Sequence, residues 1–84
     1  MGKDIKEGVD YFLDITSDVC PLTFVKTKLL IERMSSGQTA EIRLNAGEPL
    51  ENVPRAVEVL GHAVLGLGPE TPGSTVFLLS LRKA

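Results

Sequence analysis

The sequence has few of the side chains on which metal and hydrolytic sites depend. Its 84 residues include one cysteine, one histidine and no tryptophan. A zinc site needs three or four protein ligands, and no grouping of carboxylates at a suitable spacing supplies the missing ones. No pair of carboxylates points to hydrolytic catalysis either. We therefore expect neither a metal nor a cofactor.

Basic tracts and long apolar runs are also missing. The sequence has nine lysines and arginines and eleven aspartates and glutamates, which gives a net charge of -2. This charge disfavours direct binding of nucleic acid. There is no charged and then apolar leader and no apolar span long enough for a membrane, and one cysteine excludes an intramolecular disulfide. We expect a monomeric cytoplasmic protein that binds no membrane.

The length fits one small domain. Residues 1–8 are polar and unpatterned and are predicted to be a flexible tail before a single domain at 9–84. Period-two and helical patterns in that domain predict six elements. They are strand 9–15, helix 21–35, strand 38–45, a helix capped by Asn52 and ended by Gly61, and strands 63–67 and 75–82. The order βαβαββ predicts an α+β two-layer sandwich, a four-stranded mixed sheet with two helices on one face.

The single cysteine lies at the start of the first predicted helix. Proline suits the first helical position, so Pro21 makes Cys20 the N-cap or its neighbour. Backbone N–H groups at a helix start favour a thiolate, which predicts a lowered thiol pKa and a reactive cysteine. The alternative is that Cys20 is a small buried hydrophobic residue.

The residues around this cysteine carry a family resemblance. Leu13-Asp14, five further residues, Cys20-Pro21, an amphipathic helix and a strand together resemble the TusA/SirA family of small sulfur carriers. The resemblance implies that Cys20 accepts sulfane sulfur as a persulfide and passes it to an acceptor protein. It also implies a donor protein of the cysteine desulfurase or rhodanese type.

The chain departs from the family pattern, which includes the signature Cys-Pro-x-Pro, at two positions. Thr23 replaces the second proline, and Ser17 replaces the usual glycine before the cysteine. We interpret the chain as a variant branch in which Pro21 and Thr23 shape the first helical turn. The family also includes members described first as regulators, so a non-catalytic interaction module of the same fold is the alternative function.

The first helix has two apolar faces. The wider face is predicted to cover the sheet and contains Phe24, Thr27, Leu30, Ile31 and Met34. Leu22, Val25 and Leu29 form a narrower apolar stripe on the other side. This stripe either packs against the neighbouring helix or docks a partner protein.

Three charged residues are candidate supports for the cysteine. Lys26 and Lys28 border the apolar stripe and are either solvated or favour a thiolate or persulfide anion. The resemblance implies that Glu48, in the loop after the second predicted strand, is a neighbour of the cysteine, although a solvated carboxylate is the alternative. His62 could serve as a base for Cys20 only if the two were in contact, and we expect it instead to be a solvated or capping residue at a helix exit.

Overall fold

The computed structural model describes residues 9–19 and 21–84. The predicted tail, residues 1–8, lies outside the described residues. Within the described part, four strands and two helices follow each other in the predicted order βαβαββ. They are β1 (Tyr11–Asp14), α1 (Leu22–Arg33), β2 (Thr39–Asn45), α2 (Glu48–Val59), β3 (Ala63–Pro69) and β4 (Val76–Arg82). The predicted fold class is confirmed.

The strands form one mixed sheet in the order β1-β2-β4-β3. β1 and β2 pair in parallel, whereas β4 pairs antiparallel with both β2 and β3. A parallel pair needs a crossover, which α1 provides. The carboxyl ends of β1, β2 and β3 therefore lie at one end of the sheet, where the segment leading to Cys20 begins.

The core lies between the sheet and the helices. Alternation along β2 buries Ala40, Ile42 and Leu44 completely, and β4 adds Leu79 and Leu81 on the same face. The facing side chains are Leu30 and Ile31 from α1, Met34 directly after α1, and Val53 and Val57 from α2. This single apolar layer stabilises the two-layer domain.

The start of α2 differs from the prediction. A cap at Asn52 would place Pro54 in the first helical turn, where proline is well tolerated. The helix instead begins at Glu48, after Gly47 with a φ of 99°, and Pro54 lies inside it. The additional turn packs Leu50 against the core. It also places acidic side chains at the positive end of the helix dipole.

The end of α2 follows the prediction. Gly61 adopts a φ of 95° just after the helix. Its N–H donates to Glu58 O at 2.9 Å, and the N–H of His62 donates to Val57 O at 3.1 Å. This pair of hydrogen bonds is the Schellman arrangement, which requires the left-handed conformation that glycine adopts readily.

Candidate functional site

The candidate site is the segment that joins β1 to α1. Cys20 itself lies outside the described residues, so the placement of its thiol stays a prediction. The flanking residues show that α1 begins at Leu22, one residue later than predicted, with Pro21 at the N-cap position. Pro21 has ψ near 5°, outside the usual helical range, yet its carbonyl accepts the N–H of Val25 at 3.0 Å. Cys20 therefore immediately precedes the cap in sequence.

The first turn of α1 has a buried and an exposed side. Thr23, which replaces the second signature proline, is fully buried. The hydroxyl of Thr27 donates to Thr23 O at 2.8 Å, which satisfies a polar group inside the helix. The replacement of proline by Thr23 thus changes the buried side of the turn. Other residues form its exposed side.

Burial of Thr23 also corrects the predicted inner face of α1. Phe24 was predicted to face the sheet but is 36% exposed, while Thr23 takes the inner position. A spacing of four residues from Thr23 to Thr27, and four more to Ile31, follows one side of a helix. Phe24 lies about 100° further round and therefore falls at the flank of the buried face.

The apolar stripe of Leu22, Val25 and Leu29 is exposed. The three side chains keep 48%, 41% and 55% of their surface open to solvent, so packing within the domain does not account for them. Val19, directly before Cys20, is 72% exposed. Exposed apolar side chains thus form a strip along α1, and one more lies at Val19 just before the cysteine in sequence. Such a strip is typical of a surface that contacts another protein.

Both predicted supporting lysines have acidic neighbours. Lys26 Nζ donates to the two carboxylate oxygens of Asp18, at 2.9 and 3.0 Å, and so ties α1 to the segment before Cys20. Lys28 Nζ lies 3.7 Å from Glu32 Oε2 one helical turn further on. These carboxylates offset part of the positive charge that each lysine could offer to a nearby anion.

Glu48 lies at the first position of α2, at the same end of the sheet as the β1–α1 segment. Its side chain is exposed. His62 is at the other end, after α2, where its Nδ1 accepts the backbone N–H of Ala84 at 3.0 Å. The fold therefore separates the histidine from the segment that carries the cysteine.

A polar network, which sequence reasoning missed, holds the segment before Cys20. Asp14 Oδ1 accepts the hydroxyl of Thr16 at 2.6 Å and the Thr16 N–H at 2.9 Å. Arg43 Nη1 donates to Asp14 Oδ2 at 3.0 Å. Asn45 Nδ2 donates to Thr16 O at 2.7 Å. The spacing Asp-x-Thr is a sequence signal for the first part, because aspartate commonly caps a turn two residues on.

Glu70 completes this network from the segment after β3. Its carboxylate accepts Arg43 Nε at 2.8 Å and Arg43 Nη2 at 3.1 Å, a two-point pairing that fixes the guanidinium plane. These hydrogen bonds, and then those to Asp14, raise the pKa of Arg43 above its ordinary value. Arg43 therefore bridges carboxylates from two separate segments while remaining charged.

The pKa of Asp14 is lowered, first by the hydrogen bond from the Thr16 hydroxyl, then by the Thr16 N–H and by Arg43. The folded state thus binds fewer protons at this carboxylate than the unfolded state. This contribution to stability is present above the unfolded pKa and is lost as the pH falls through the folded pKa.

We expect urea unfolding curves to show a smaller acid-induced loss of stability for Asp14→Asn than for the wild type. Parallel pH dependences of the two proteins would contradict this.

No metal-binding group of three or more His, Cys, Asp or Glu side chains is found within residues 9–19 and 21–84. In the same part of the chain, neither helix is long and apolar enough to cross a membrane.

Comparison with known proteins places the chain in a family. The model of the family described as "Sulfurtransferase TusA" matches residues 11–81. A protein named "Putative sulfur carrier protein" in Archaeoglobus fulgidus is 44% identical over 55 residues, which cover 66% of this chain and 62% of that protein. A protein of the same name in Thermotoga maritima is 36% identical over 60 residues, covering 71% and 76%.

The fold comparison agrees. The crystal structure of a SirA-like protein from Desulfitobacterium hafniense superposes with a TM-score of 0.73, covering 87% of this chain and 96% of that one. At 15% sequence identity this likeness concerns the fold alone. The family match spans most of the chain and includes the Cys20-Pro21 signature. The chain belongs to the TusA sulfurtransferase family.

Proposed function

We propose that this chain is a sulfur carrier that holds sulfane sulfur as a persulfide on Cys20. The observation that carries the proposal is the family match, which includes the Cys-Pro signature directly before α1. A cysteine next to a helix N-terminus has a raised thiolate fraction, and the thiolate is the nucleophile in sulfur exchange.

The transfer is a pair of exchange reactions without net oxidation. The Cys20 thiolate attacks the outer sulfur of a donor persulfide, the donor's sulfur–sulfur bond breaks, and the donor leaves as a thiolate. An acceptor nucleophile then attacks the outer sulfur on Cys20, which leaves as a thiolate in turn. The donor is a protein of the cysteine desulfurase or rhodanese type, and the acceptor is a second protein.

The remaining predicted residues fit this cycle in supporting roles. Pro21 and Thr23 shape the first turn of α1, one at the cap and one in the core. Lys26, Lys28 and Glu48 are proposed to adjust the charge around the persulfide. The exposed apolar stripe of α1 is proposed to receive the donor, because a surface carrier must be recognised before sulfur can pass.

Loading with sulfur tests the proposal directly. Reduced protein incubated with a cysteine desulfurase and cysteine, or with a rhodanese and thiosulfate, is expected to gain the mass of one sulfur atom. A reductant should remove this mass, because a persulfide is a reversible modification. The matched control is Cys20→Ser, which should gain nothing. A donor panel that loads another TusA-family carrier but never this chain would contradict the proposal.

A second candidate function is a non-catalytic interaction module. The exposed apolar stripe favours it, since Leu22, Val25 and Leu29 could bind a partner without any chemistry at Cys20. In that case the thiol would be dispensable and the stripe would not.

A further inference from the structure

The segment between β1 and α1 is held in place at several points. Ile15 is 1% exposed, so its side chain anchors the segment in the core. Its N–H donates to Arg43 O at 2.9 Å, which extends the pairing with β2 by one residue. At the other end, the Leu22 N–H donates to Val19 O at 2.8 Å where α1 begins. Residues 16–18, which follow the first anchor, belong to no helix or strand.

Two side chains from β2 hold that intermediate part. Asn45 donates to the carbonyl of Thr16 at 2.7 Å, and Arg43 donates to Asp14 at 3.0 Å and to the Thr16 hydroxyl at 3.4 Å. Glu70 fixes the orientation of the guanidinium from its opposite side. Both β2 side chains thus contact Thr16, four residues before Cys20.

We propose that Arg43 and Asn45 are positioning residues, which act through Thr16 and Asp14 to hold the segment leading to Cys20 against the start of α1. The biological meaning of this inference rests on the proposed function. Strand β2 is the central partner of both β1 and β4, and so provides a rigid base for these contacts. A segment that is fixed to β2 loses less conformational entropy when a reactive geometry forms.

Charged groups on every element around the segment must be considered in any test that uses thiol reactivity. They are Asp14 and Asp18 before the cysteine, Lys26 and Lys28 on α1, Arg43 on β2, Glu48 at the start of α2 and Glu70 after β3. Deleting one of these charges would change a thiol pKa directly by Coulomb interaction. Variants that preserve net charge avoid this direct effect. A change of the thiol pKa in such variants therefore reports on the position of the segment.

The test uses Asn45→Ala and Arg43→Lys, neither of which changes net charge. Alanine removes the amide donor, and lysine keeps the positive charge but lacks the fork that reaches two carboxylates. The matched control is Gln38→Ala, at the residue directly before β2 and so at the opposite end of that strand from Asn45. Gln38 Oε1 accepts the Ser35 N–H at 2.7 Å, so this variant also deletes one bond from a side-chain amide to the backbone.

The measured quantity is the rate of alkylation of Cys20 by iodoacetamide as a function of pH, together with the urea midpoint of each variant. This reaction needs no sulfur donor, so its result is independent of whether the chain carries sulfur. We expect the alkylation midpoint to rise by about half a pH unit in Asn45→Ala and Arg43→Lys, because a loosened segment would hold the thiol less firmly at the helix start where the sequence predicts it. The rate well below the midpoint should then fall about threefold.

Gln38→Ala should keep the wild-type alkylation midpoint, even if it lowers the urea midpoint as much as Asn45→Ala and Arg43→Lys do. Two results would overturn the inference. One is a wild-type alkylation midpoint at the ordinary cysteine value. The other is a wild-type profile in whichever of Asn45→Ala and Arg43→Lys is folded. Equal shifts in the Gln38→Ala control would likewise overturn it, because they would show a general effect of lost stability.

Discussion

Replacement of Cys20 by serine is expected to abolish the biological activity of this protein, with the same phenotype as deletion of its gene. Serine is nearly isosteric with cysteine, so the fold and the apolar stripe should be unchanged. Its hydroxyl cannot hold a sulfane sulfur, because the carrier cycle needs a thiolate that attacks and then leaves. The measurement is complementation of a deletion strain, with protein levels and thermal stability confirmed for the variant.

The same experiment distinguishes the two candidate functions. A binding module would tolerate Cys20→Ser, since its contacts depend on shape and apolar surface. Full complementation by the serine variant would therefore contradict the carrier proposal and support the module. Partial complementation at wild-type protein levels would also contradict the carrier proposal, because a carrier without its thiol has no other group that can hold the sulfur.

Much of the fold could be predicted from local patterns. The alternation along β2 indicates a half-buried strand, and the structure buries Ala40, Ile42 and Leu44 together. The left-handed residue after α2 could be predicted because glycine is the residue that adopts this conformation at least cost. These features depend on residues close in sequence, which is why they are visible without a structure.

The start of α2 could not be fixed in the same way. Asn52 is a good cap, and Pro54 fits the first turn that such a cap would create. The observed start at Glu48 depends on the packing of Leu50 against the core, which a local pattern does not reveal. Tertiary packing here outweighs the preference of one residue for a capping position.

The contacts that hold the β1–α1 segment were missed for a related reason. Arg43 lies opposite Asp14 only because β1 and β2 pair in a particular parallel register. The sequence separation between these residues is large, and a shift of one position would turn Arg43 toward the core. Lys26 was predicted to be either solvated or a support for an anion, and its pairing with Asp18 depends on the folded structure and is not visible in a local pattern.

Replacement of Leu29 by glutamate is expected to slow protein-mediated loading of Cys20 about tenfold or more. Leu29 is the most exposed residue of the apolar stripe, at 55%, so the change should cost little stability. In a docked complex the glutamate would remove an apolar contact and bury a charge without its water. A loss of about 1.4 kcal/mol of binding free energy corresponds to a tenfold weaker complex. The measurement is the initial rate of persulfide formation with a subsaturating donor enzyme.

Two controls make this result specific to docking. Leu65→Glu introduces the same change at a leucine that is 49% exposed, on β3 at the opposite edge of the sheet from β1, and should leave loading unchanged. A small-molecule persulfide should load Leu29→Glu at the wild-type rate, because it needs no protein surface. If Leu29→Glu and Leu65→Glu slow the donor enzyme equally, or if the small molecule shows the same defect, the stripe is not the docking surface. Slowing confined to Leu29→Glu and to the protein donor would locate the encounter with the donor on the outer side of α1.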